Sequence, residues 1–187
     1  MTLQVRFSHY FSYEGTLRTA ARFAMKLIAE KAGKADRYDN LRYVRDDGTE
    51  TRSPMPRQGT LPHDLVHYVV ESTLPLEFGF LSLVARGADA LFVMETVHDR
   101  NNPAVETEAV QAEAVVEALQ TQLWSGEFDT EAFLEGARLA TAAREKPTFD
   151  FSAIDPRILY DRALELLERW HRVPFHQSIE LEFALRS

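Results

Sequence analysis

Leu41-Arg42-Tyr43-Val44-Arg45, then Asp46-Asp47-Gly48, then Thr49-Glu50-Thr51-Arg52 is the stretch on which the fold turns. Two short runs rich in β-branched and aromatic residues flank an Asp-Gly pair, the strongest local signal for a β-hairpin. A loop follows at Ser53-Pro54-Met55-Pro56-Arg57-Gln58-Gly59. Next comes Leu61-Pro62-His63-Asp64-Leu65-Val66-His67-Tyr68-Val69-Val70-Glu71. Pro62 has a φ preset for the first helical turn and pushes Leu61 out of the α region, so a helix starts there, and Ser72-Thr73-Leu74-Pro75 stops it. A small sheet leading into a helix predicts an α+β chain rather than an all-α one.

Both ends of the chain add strands by the same reasoning. Leu3, Val5 and Phe7 alternate with polar residues, and so do Ile179, Leu181, Phe183 and Leu185. Pairing these termini sets Arg6 near Glu180 or Glu182 and closes one mainly antiparallel sheet, which argues for a single domain over 1–187. About five or six helices cover that sheet. One spans Thr16 to Lys31 with Leu17, Ala20, Ala21, Ala24, Leu27 and Ile28 inward and Gly33 at its end. A buried helix runs from Phe78 to Val84. A long one starts at Asn102-Pro103 and reaches Trp124, with Glu113 and Glu117 on a solvated face. Another is capped by Asp129 and runs to about Ala143, and a last one runs from Asp155-Pro156 through Trp170. The segment Ala90 to Met94 fits strand or helix equally.

Length and composition bound the possibilities. The chain has 187 residues, 45% hydrophobic and 27% charged, which suits one domain with a sizeable core. A net charge of −8 makes nucleic acid and anionic membrane surfaces poor partners. The absence of Cys removes disulfides, thiolate metal sites and a Cys nucleophile together. No leader-like start and no long apolar run is present, so a cytoplasmic protein is expected. There is no internal repeat, no Gly-rich phosphate loop and no Gly-x-Ser-x-Gly elbow.

The chemistry collects on the Pro62 helix. His63 and His67, spaced i and i+4, stand together at the edge of the apolar arc made by Leu65, Val66, Val69 and Val70. Glu71 extends the same row, with Asp64 beside it, so two imidazoles and one or two carboxylates are expected at the border of core and solvent. Neutral imidazole and carboxylate suit a borderline divalent cation such as Zn²⁺. Glu71 or His98 is the expected third ligand, with His171 and His176 as other long-range candidates. The plainer alternative makes the histidines rim residues and Asp64 a first-turn acid that complements the helix dipole.

The row His63-Asp64-x-x-His67 resembles the metal-binding helix of zincin metallopeptidases, in which two His ligands and a general base share one helix. The resemblance covers residues 61–71 and implies a metal-dependent hydrolase of peptidase or amidase type, with Asp64 as base and a small-molecule or peptide substrate. Asp64 is one methylene shorter than the Glu of that family, which implies equally a degenerate, non-hydrolytic relative. No Gly-x-x-His continues the helix, and no second Glu-bearing helix is evident in the sequence. The His63-Asp64 pair is also similar to that of HD phosphohydrolases, but the upstream His9 falls in an expected strand. The competing expectation is a non-enzymatic binding or assembly module with a structural His-bearing helix, where Phe78 to Val84, if exposed, offers a homodimer contact.

Overall fold

The computed structural model describes residues 22–93 and 106–185. Their fold is α+β. Four strands, β1 (Arg22–Glu30), β2 (Tyr38–Arg45), β3 (Glu50–Pro56) and β4 (Ser178–Leu185), form one antiparallel sheet in the order β3-β2-β1-β4. The helices are α1 (His63–Thr73), α2 (Phe80–Ala85), α3 (Thr107–Ser125), α4 (Thr130–Ala142) and α5 (Arg157–His171), and residues 90–93 are also helical.

The hairpin forms as its sequence dictates. Gly48 takes φ 83° at the turn, and Leu41 lies opposite Ser53. The second strand runs further than expected, because Ser53 to Pro56 continue β3 instead of looping away. The prolines cost nothing there: β3 is an edge strand, and its outward positions alternate with the buried Thr51, Ser53 and Met55.

The expected Thr16–Lys31 helix is overturned where it is described: Arg22–Glu30 is the strand β1. Ala, Met, Lys, Leu and Glu favour helix in isolation, yet Met25, Leu27 and Ala29 are fully buried and alternate with the half-exposed Lys26, Ile28 and Glu30. A strand hydrogen-bonded on both sides and buried on one face outweighs that local preference. The expected strand at Leu3 to Phe7 lies outside the described residues. The described neighbour of β4 is β1, and Lys26 pairs with Glu180 at 2.8 Å, the kind of contact expected of Arg6.

One face of the sheet carries Met25, Leu27, Leu41, Tyr43, Met55, Leu181 and Phe183 into a hydrophobic cluster shared with every helix. Helix α1 lies on this face, α2 beside it, and α3 packs on α1. α1 is therefore covered on several sides, and seven of its eleven residues are buried, Asp64, His67 and Glu71 among them. The Phe78–Val84 segment turns Phe80, Leu81 and Val84 inward and leaves Phe78 exposed. Arg45 donates to the carbonyls of Val84 and Ala88 at 2.7 Å each, which ties the end of α2 to the sheet. Asp129 caps α4 by accepting from the Ala132 amide.

Candidate metal centre

α1 begins at His63, with Pro62 at its N-cap, and closes with the Leu74 amide donating to the Val70 carbonyl. The spacing of four places His63 and His67 on one side, their ring centroids 4.9 Å apart and nearly perpendicular. That side faces α3. The group is interior rather than at the border of core and solvent: the side chains of His67, Glu71 and Glu113 are 4%, 0% and 1% exposed, and only His63, at 19%, reaches outward.

Each imidazole is held by its Nδ1. His63 Nδ1–H donates to Gln120 Oε1 at 2.9 Å, and Gln120 in turn donates to Gln58 Oε1. His67 Nδ1–H donates to Glu71 Oε1 at 3.1 Å. Both Nε2 atoms consequently turn toward one carboxylate, that of Glu113, His67 at 3.1 Å from Oε2 and His63 at 3.6 Å from Oε1. His63, His67 and Glu113 offer ligand atoms that all lie within 4.8 Å of one another. A tetrahedral ion with ligands at about 2.0–2.1 Å sets neighbouring donors about 3.3 Å apart, close to the 3.1 and 3.6 Å between the two Nε2 atoms and the Glu113 carboxylate.

Glu113, not Glu71, stands with the two histidines. Glu71 follows the histidines on α1 but turns both oxygens elsewhere, Oε1 to His67 and Oε2 to the Leu81 amide at 2.9 Å. Glu113, expected on a solvated face, is inside, because α3 is buried nearly all round. Its neighbours Val110, Ala112, Ala114, Val115 and Val116 are apolar, but they do not by themselves mark the position as buried. The third group thus comes from a second Glu-bearing helix. His98 lies outside the described residues. His171 and His176 are exposed on the far end of α5 and the loop beyond it.

Asp64 points from the same helix toward the sheet. Its Oδ1 accepts from Tyr43 Oη at 3.3 Å and from Ser53 Oγ at 3.4 Å. Burial pushes its carboxyl up from the ordinary range, against the pull of His63 and His67. For His67, burial works to lower the pKa, but the Glu113 and Glu71 carboxylates outweigh it and push it up to about 10. The raised value favours the imidazolium form of His67, held between the side chains of Glu113 and Glu71.

The described part of the chain is thus an α+β structure with a buried His-His-Glu group between two helices. No family model matches the chain, nor does any curated protein or any solved structure. No described helix is long and apolar enough to cross a membrane.

Proposed function

We propose that the protein binds a divalent metal ion, with His63 Nε2, His67 Nε2 and a Glu113 oxygen as its ligands and Zn²⁺ as the cation this donor set suits best. The observation that carries the reading is the orientation of the two rings. Both Nδ1 atoms are committed to acceptors, Glu71 and Gln120, and both Nε2 atoms are aimed at the same carboxylate. Histidine ligands are fixed in this way by partners on their other nitrogen.

Two His and one Glu leave a fourth position, the donor set of catalytic rather than structural zinc sites. A zincin-like hydrolase is therefore the second reading, favoured by a carboxylate ligand supplied from another helix. Asp64, in the base position of that motif, is turned to Tyr43 and Ser53 on the sheet side, which leaves it poorly placed to take a proton from a metal-bound water. Binding without hydrolysis is the better-supported form, in a zincin-like site whose base has lapsed.

The test is zinc content of tag-free protein after incubation with Zn²⁺ and gel filtration. About one ion per chain is expected, falling to background in His63→Ala, His67→Ala and Glu113→Ala. A folded wild-type protein that retains no zinc, or a Glu113→Ala variant that retains it fully, rejects the site. Peptidase activity gained by Asp64→Glu would restore the hydrolase reading.

A further inference from the structure

Beside the start of α1 lies a cavity of about 240 Å³, below the ~300 Å³ at which pockets for drug-sized ligands begin. Pro62, the N-cap of α1, is part of its wall. So is Gln58, which accepts a hydrogen bond from the same Gln120 that holds His63. Two hydrogen bonds therefore separate the cavity wall from an imidazole of the metal centre.

In a chain of net charge −8, this cavity gathers two cations against one anion. Arg57 pairs with the buried Asp39 at 2.6 Å. Lys31 is set on carbonyls instead, donating to those of Trp170, Val173 and His171 at 2.8, 3.0 and 3.2 Å. Burial lowers the Lys31 pKa; Asp39 pulls it back up, and Arg57 offsets part of that pull. Thr60 Oγ1, buried in the same wall, has no hydrogen-bond partner. Trp170 and Phe175 supply apolar walls, with Lys31 over the first ring and Arg57 over the second.

We propose that this cavity is a ligand pocket that takes a small organic anion, its charged head toward Lys31, Arg57 and Thr60 and its apolar body against Trp170 and Phe175. An anion balances the surplus charge, and its oxygen accepts the hydrogen bond that the Thr60 hydroxyl does not otherwise make. The pocket stands independently of the metal-centre reading.

The experiment uses 3-phenylpropionate, 3-phenylpropyl phosphate, acetate and inorganic phosphate as probes, with binding followed by the Trp170 indole resonance in wild-type protein and in Thr60→Val. EDTA-treated and Zn²⁺-loaded protein are titrated in parallel. One of the phenyl-bearing anions binds EDTA-treated protein at least tenfold more tightly than acetate or inorganic phosphate, and the better of the two identifies the head group. Thr60→Val weakens that binding about tenfold at unchanged thermal stability. Lys31→Met serves as a second variant, read only if it remains folded. Equal binding of all four probes, or binding that ignores both substitutions, overturns the proposal. So does binding seen only with Zn²⁺, which would place the anion on the metal. Failure of zinc binding with the pocket still filled would reject the centre and leave the pocket standing.

Discussion

Gly79→Ala probes the centre from outside its ligands. Gly79 precedes α2 with φ −68°, which any residue adopts, so the backbone itself tolerates alanine. The obstacle is contact. A Cβ there would stand 2.2 Å from Glu71 Oε2 and 2.6 Å from its Cδ. To regain ordinary separation the carboxylate must retreat by roughly 1 Å, in a site where it has no free volume. The retreat costs the bonds from the Leu81 amide and from His67. Each hydrogen bond to a charged group contributes about 1.5–3 kcal/mol, so about 3–6 kcal/mol of apo-protein stability is at stake. In a chain of this size that lowers Tm by roughly 10 °C. With its orienting partner displaced, His67 is expected to lose about 10–100-fold in zinc affinity. Urea unfolding of the apo-protein and zinc titration by calorimetry measure the two effects separately. Gly136→Ala is the control: its Cβ would meet Ala118 at an ordinary 3.5 Å, and helix propensity should make it neutral or stabilising by up to about 1 kcal/mol. If Gly79→Ala matches wild type in both measurements, the Glu71 carboxylate is not lodged on that glycine and the derived orientation of His67 is wrong.

The pH dependence should run in opposite senses with and without metal. With His67 held at about 10 against an ordinary value near 6.5, its stabilisation is complete below about 6.5 and is lost as pH rises toward 10; the apo-protein's unfolding free energy, from urea titration, falls over that window by roughly 1 kcal/mol per pH unit, and less in Glu113→Gln. Zinc must displace that proton, so its affinity, measured against a competing chelator, rises about tenfold per pH unit across the same range, and a flat profile would show that His67 is not a ligand. Asp64→Asn keeps an acceptor for Tyr43 and Ser53 while removing a carboxyl whose raised pKa costs stability above its unfolded value; the urea midpoint at pH 8 should rise or stay level, and a fall would mean the ionised form is needed. Asp39→Ala strips the partner of Arg57 and should cost about 3 kcal/mol in the same assay, with a loss under 1 kcal/mol excluding a structural ion pair.

The local signals survived where they did not depend on distant packing. Asp47-Gly48, Pro62 and Asp129 set a turn, a helix start and a cap through their own backbone preferences, and each stands where the sequence places it. Residues 22–30 failed as a helix because their composition favours helix while their alternation, Met25, Leu27 and Ala29 against Lys26, Ile28 and Glu30, fits a strand. Only β2 and β4 on either side decide between the two. The pair His63 and His67 was legible from spacing alone. Glu113 was not, since whether an acid on a helix meets water depends on how much of that helix is covered, and α3 is covered on nearly every face.

The place of β1 in the sheet has a consequence for how the chain assembles. Its neighbour β2 follows within a few residues, but its other neighbour, β4, arrives only near residue 178, after every described helix has been made. A growing polypeptide must therefore carry β1 with one bare hydrogen-bonding margin through most of its synthesis, an invitation to pair with other chains. Such long-separated pairing also slows folding. A nascent chain stalled before β4 should be markedly more prone to aggregate than one released past Leu185.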